Sequence, residues 1–186
     1  MEVRFVSFGN LKPHHRNFVK ETCGRLLPVL NSSAFERDAV SSSMTQNKGS
    51  RPARILQIFK SGVDGRGVIE LDIMSFHSFS NTIAYSVYRT LKHHYNEKFL
   101  EEYYQMPRTQ GQAKMAKTIV HEIMHDPYGF KHPWYSNKEG TVPYVYGKIT
   151  ERNFLKFYEL DVSKSGFVEM GSPSLVEANI SFSFVG

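Results

Sequence analysis

Cysteine is almost absent: Cys23 is the only one in 186 residues. No disulfide can form within the chain, and no oxidising compartment is required. Long apolar runs are missing too, with no stretch near the roughly eighteen residues that would cross a bilayer. The opening Met-Glu-Val-Arg-Phe-Val-Ser-Phe-Gly lacks the basic region and apolar core of a Sec-type signal. These absences predict a protein that stays out of the membrane, either cytoplasmic or exported without a cleavable signal peptide. Basic runs are also lacking. The net charge of +5 is scattered over 23 Lys and Arg with no block of five or six. With a pI near 9.2, that scatter reads as a solvated basic surface rather than a dedicated nucleic-acid face.

What remains is ordinary globular material. Hydrophobic residues make up 40% and charged residues 22%, and the length suits one core, so a single domain over 1–186 is expected. Fourteen Phe and ten Tyr supply large apolar faces, many with a polar tip. No internal repeat interrupts the chain.

Periodicity gives a coarse element order. Glu2 to Phe8 alternates as an opening strand. From Pro13 to Leu30, Phe18, Val19, Cys23, Leu26, Leu27 and Leu30 recur at helical spacing, and Pro28 is expected to end or bend that helix late. Ser41 to Pro52 is polar and rich in breakers, a mobile loop rather than a domain linker. Arg54 to Phe59 and Val68 to Met74 read as two strands of a hairpin around a glycine-rich turn. Asn81 or Ser80 is positioned to cap a long helix to about Tyr104, with Ile83, Val87, Leu91 and Tyr95 along one face. On that helix His93 and His94 would point about 100° apart, so they read as surface histidines, as do His14 and His15. Pro107 breaks the helix. Thr109 and Gln112 then fit a capping box for a further helix to about Asp126, stopped by Pro127 and Gly129. A short helix near 151–159 and a last strand at Asn179–Val185 complete the reading, which amounts to an α+β fold.

The chemistry concentrates at 118–134, Thr-Ile-Val-His-Glu-Ile-Met-His-Asp-Pro-Tyr-Gly-Phe-Lys-His-Pro-Trp. His121 and His125 are four apart, so on a helix their rings stand one turn above the other. Two ring nitrogens can then reach one ion at roughly 2.0–2.1 Å. Glu122 sits beside them, too close in sequence to be a comfortable third ligand but suited to touch a water on the ion. A catalytic site needs a third ligand and an open position. Pro127 and Gly129 permit a sharp return that would carry His132 over the pair. His132 is the first choice, with Asp126, Glu139 and Glu151 in reserve. Tyr135, Tyr144 and Tyr146 could each offer a phenol to an oxyanion, although packing in an aromatic core is the plainer use of all three.

His121-Glu122-Ile-Met-His125 resembles the signature of the zincin metallopeptidases. The run to His132 is similar to the longer metzincin pattern H-E-x-x-H-x-x-G-x-x-H, with one extra residue before Gly129. Gly140-Thr-Val-Pro-Tyr-Val-Tyr-Gly147 resembles the G-T-x-D-x-x-Y-G segment of aspzincins, with Pro143 where that family has its zinc-binding aspartate. The resemblance covers about residues 118–147. It implies a zincin-like fold, a small mixed or antiparallel sheet packed on helices, and a Zn²⁺ held by His121, His125 and His132. It further implies Glu122 as the base that activates water for attack on a peptide bond. Tyr146 would be the tyrosine supporting the transition state, Met170 a methionine-turn candidate, and Val68–Met74 the edge strand that pairs with substrate. The expected activity is that of a zinc-dependent metalloendopeptidase, a monomer acting on protein or peptide.

Two other readings compete. Bacterial rRNA-maturation endoribonucleases carry a similar three-histidine run on a small α+β fold, but with glycine where Glu122 stands. A non-catalytic module stapled by zinc would need a closed four-ligand site, and few fourth ligands lie near the motif.

Overall fold

The computed structural model describes residues 1–62, 65–87, 90–126, 128–132 and 138–164. Among them are six helices and one four-stranded mixed sheet, an α+β arrangement. The elements run β1 (Glu2–Ser7), α1 (Pro13–Leu30), α2 (Ser33–Ser41), α3 (Pro52–Ser61), β2 (Val68–Phe76), β3 (Ala84–Val87), β4 (Lys92–Asn96), α4 (Glu97–Gln105), α5 (Arg108–His125) and α6 (Val142–Lys164). The expected last strand at 179–185, Met170 and Tyr135 lie outside the described residues. No described helix is long and apolar enough to cross a membrane.

The sheet order is β1-β2-β4-β3, with β1 parallel to β2, β2 parallel to β4, and β3 antiparallel to β4. Strand β2 follows the expected alternation: Ile69, Leu71, Ile73 and Ser75 are buried, and the residues between them are half exposed. It is nevertheless an inner strand, paired on both sides. The edge beside α5 is β3. Val68–Met74 is therefore not the free edge that the zincin resemblance implied.

Two segments depart from their expected class. Arg54–Phe59 lies in helix α3 rather than a strand. Its short Ile-Leu-Gln-Ile-Phe run suits either period, and Pro52 at the helix start together with Gly62 (φ 69°) after its end decides for a helix. Ile55, Leu56 and Phe59 go inside. The region 80–104 is not one helix but β3, β4 and α4. Ile83, Val87, Leu91 and Tyr95 have helical spacing, yet Leu91 takes a left-handed φ of 61° that turns the chain between the strands. Asn96 then starts α4: its Oδ1 accepts from the Lys98 amide, and its Nδ2 donates to the carbonyls of Ser78 and Thr82.

Helix α1 spans the predicted residues. Pro28 sits inside its last turn and forfeits one bond without ending it. Helix α5 starts at Arg108 after Pro107, with no side-chain cap. Gln112 does not complete a capping box; buried, it donates to Glu21 at 2.9 Å and accepts from Arg25. Helix α6 begins nine residues before the short helix expected at 151–159, because Pro143 in a first helical turn starts a helix rather than stopping one. The loop after α2 is tied to this entrance by a bridge between Thr45 and Thr141 and a bond from the Thr45 amide to the Gly140 carbonyl (2.7 Å).

Two glycines let helices approach closely. A Cβ on Gly111 would lie 2.0 Å from the Tyr103 carbonyl oxygen, so α4 and α5 meet backbone to backbone there. One on Gly147 would meet the Lys117 carbonyl oxygen at 3.2 Å and the His121 Cβ at 3.6 Å. Helix α6 thus lies directly along α5, the helix that carries the motif.

Candidate metal centre

Helix α5 buries Ala113, Ala116, Ile119, Val120 and Ile123, an apolar stripe at three- and four-residue spacing, and this fixes its rotation. His121 and His125 then share one flank, with ring centroids 4.8 Å apart and Nε2 atoms 3.1 Å apart. The helix ends as expected. Gly129 takes φ 63°, its amide donates to the His125 carbonyl, and the Phe130 amide donates to the Met124 carbonyl. The reversal places the Phe130 carbonyl 2.6 Å from His125 Nδ1 and brings His132 to the pair, 5.5 Å from the His121 ring and 4.8 Å from the His125 ring. One ligand atom from each of the three histidines lies within 4.8 Å of the others.

The partners of the rings set what they can bind. His125 Nδ1–H donates to the Phe130 carbonyl. His121 hydrogen-bonds the backbone of Pro143, and since proline has no N–H the partner is its carbonyl. Each neutral imidazole has a single N–H, and that of His125 is on Nδ1, so its Nε2 turns a lone pair toward His121 Nε2 at 3.1 Å. That separation suits two ligands of one cation. Two ligands of a tetrahedral zinc ion with bonds of about 2.05 Å stand about 3.3 Å apart. The donor set fits such an ion, and the two carbonyls supply the outer support that ligating histidines generally use. Burial, reinforced by the neighbouring histidines, holds His121 down to about 3 and His125 down to about 4, so both stay in the neutral, ligating form at neutral pH.

Glu122 is 4% exposed. Its carboxyl points to β3, where the Ser86 hydroxyl and backbone hydrogen-bond it, while Oε2 has no hydrogen-bond partner. Burial, with a smaller push from Asp126 and against the pull of Ser86, raises it to about 7.

None of the reserve ligands joins the three-histidine group. Asp126 is fully buried, with Oδ2 3.5 Å from His93 Nε2. Glu139 pairs with Lys148 at 3.3 Å, and Glu151 with Lys114 and Lys117 at 2.7 and 2.8 Å. His93, expected on a helix surface, is a buried residue of β4.

Tyrosine placement differs from the resemblance. Tyr146 is fully buried, its ring 6.1 Å from Phe35 and 5.2 Å from Phe59, and its hydroxyl has no partner. It packs the core. Tyr144 instead stands edge-on to His121 at 4.6 Å and 5.2 Å from His132; burial raises its phenol, and the nearby Glu122 carboxylate adds to the rise. Positions 144 and 146 point about 200° apart on α6, so only one of them can face α5. Ser86 was missed because its segment read as helix, and the Pro143 carbonyl because a backbone atom leaves no mark in a motif.

No protein-family model matches the chain, and neither does any curated protein or solved structure. The functional reading rests on the motif and its geometry.

Proposed function

We propose that the chain is a zinc-dependent endopeptidase of zincin-like fold acting on protein or peptide substrates. The observation that carries this reading is the pair of Nε2 atoms facing each other 3.1 Å apart, with His132 joining them. His121, His125 and His132 would hold the ion. Among the described residues only these three ligands come together here, which would leave a position open, as a catalytic rather than a structural site requires. When bound, zinc acidifies water and polarises a carbonyl oxygen.

The remaining steps belong to the protein. Glu122, raised to about 7 and with Oε2 unpartnered, takes the proton from the attacking water and returns it to the departing amine. Ser86 holds the carboxyl from the other side. Tyr144, beside both His121 and His132, is placed to donate to the oxygen on which negative charge develops. Among the described residues no strand pairs with the outer edge of β3, so its amides and carbonyls can align an extended substrate alongside Glu122.

The test incubates casein and, in parallel, structured RNA with the zinc-loaded protein, with chelator, and with zinc restored. The reading requires casein cleavage that chelation stops and zinc restores. Intact casein, or cleavage of RNA alone, would overturn it.

A further inference from the structure

We propose that His14, His15 and Glu101 form a second divalent-metal site, which shares no residue with the three-histidine group and clamps the start of α1 to α4. Adjacent histidines inside a helix diverge by about 100° and rarely chelate together. These two sit in the first turn of α1, and their rings converge, with centroids 4.2 Å apart at 61°. Both Nε2 atoms reach the same oxygen of Glu101, His14 at 3.4 Å and His15 at 3.0 Å. Ligands sharing a tetrahedral ion stand about 3.3 Å apart, and the two measured separations bracket that value. All three ligand atoms lie within 4.8 Å of one another.

The surroundings hold this arrangement in place. His15 is fully buried and nothing hydrogen-bonds its Nδ1, so the ring reaches a partner through Nε2 alone. Glu101 comes from the opposite element; Gln105, one turn on, donates to Oε1 at 2.7 Å and leaves Oε2 to the histidines. The Tyr104 ring closes one side, 5.1 Å from His14 and 6.3 Å from His15. The nearby ammonium of Lys12 is drawn off to Glu97 at 3.3 Å. Two imidazole nitrogens and one carboxylate oxygen suit zinc, cobalt, nickel or copper rather than calcium or magnesium, which prefer all-oxygen shells. An ion there would tie α1 to α4 and so stabilise the native state.

Zinc retention after equilibrium dialysis, and the rise in melting temperature with added zinc, would be measured for the full chain and its variants. His14 and Glu101 are both part exposed, so His14→Ala and Glu101→Gln leave the core untouched. We expect His121→Ala to retain one equivalent of zinc and a zinc-dependent melting shift, and both to be lost when Glu101→Gln or His14→Ala is added. A His121→Ala protein that retains no zinc overturns the second site while leaving the peptidase reading intact, provided the unaltered chain binds one equivalent. Retention unaffected by Glu101→Gln and His14→Ala overturns it as well. Loss of all zinc on Glu101→Gln alone, with His121→Ala indistinguishable from the unaltered chain, would uphold this site and sink the peptidase reading instead.

Discussion

Replacing Glu122 by Gln should make the metal-free protein more stable above neutral pH and abolish hydrolysis. The carboxyl is buried against β3 and displaced from 4.5 to about 7. Because the folded-state value is the higher one, the native protein holds this proton more tightly than the unfolded chain does. The stability this contributes is complete below about pH 4.5 and disappears as pH rises through about 7. At about 1.4 kcal/mol per pH unit of displacement, the ionised carboxylate costs the native state about 3 kcal/mol by pH 8. Glutamine cannot ionise and its oxygen can still accept from Ser86, so the stability difference between variant and parent should widen by about 3 kcal/mol from pH 4.5 to 8. Urea denaturation of both proteins in chelator, at half-unit pH steps, measures that difference directly. Zinc content should be unchanged and casein cleavage should fall by at least about 10²-fold. A stability difference flat across this range would show that the carboxyl is not held in a dry site. A variant that still cleaves casein would remove Glu122 from the mechanism.

Tyr144→Phe should lower kcat by about 10²-fold with little change in KM, whereas Tyr146→Phe, which deletes a buried hydroxyl without a partner, should leave turnover intact and stability equal or up to about 1 kcal/mol higher. The opposite pattern in steady-state kinetics would restore Tyr146 to the role its resemblance gave it. Gly111→Ala raises intrinsic helix propensity yet should destabilise by about 2 kcal/mol or more, since the new methyl would meet the Tyr103 carbonyl oxygen at 2.0 Å; an unchanged urea midpoint would contradict the close α4–α5 contact. Burial pushes the Cys23 thiol up to about 12, so a disulfide reagent at pH 8 should label it only after denaturant is added.

The strong periodicities in the chain were legible because one face of each element is buried. Helix α1, strand β2 and the motif helix α5 all carry stripes that tertiary packing did not need to override. Arg54–Phe59 and 80–104 depart from the class their spacing predicts because sparse apolar positions satisfy both periods and the deciding contacts are distant. Asn96, bonded to Ser78 and Thr82, commits 92–104 to a strand followed by a helix, and no local spacing announces that. At the candidate metal centre the helix spacing, the breaker and the return of His132 could all be read in advance. The support was not legible. Pro143 contributes a carbonyl, Ser86 reaches Glu122 from an unforeseen edge strand, and the placement of Tyr144 rather than Tyr146 beside His121 follows from the rotation of α6, which Gly147 permits by packing against His121.

Crystals of the protein reconstituted with zinc, measured on both sides of the zinc absorption edge, test the central claim most directly. The account predicts an anomalous peak roughly 2.0–2.1 Å from Nε2 of both His121 and His125 and from a ring nitrogen of His132. Fully zinc-loaded crystals with no density between those three rings would contradict it.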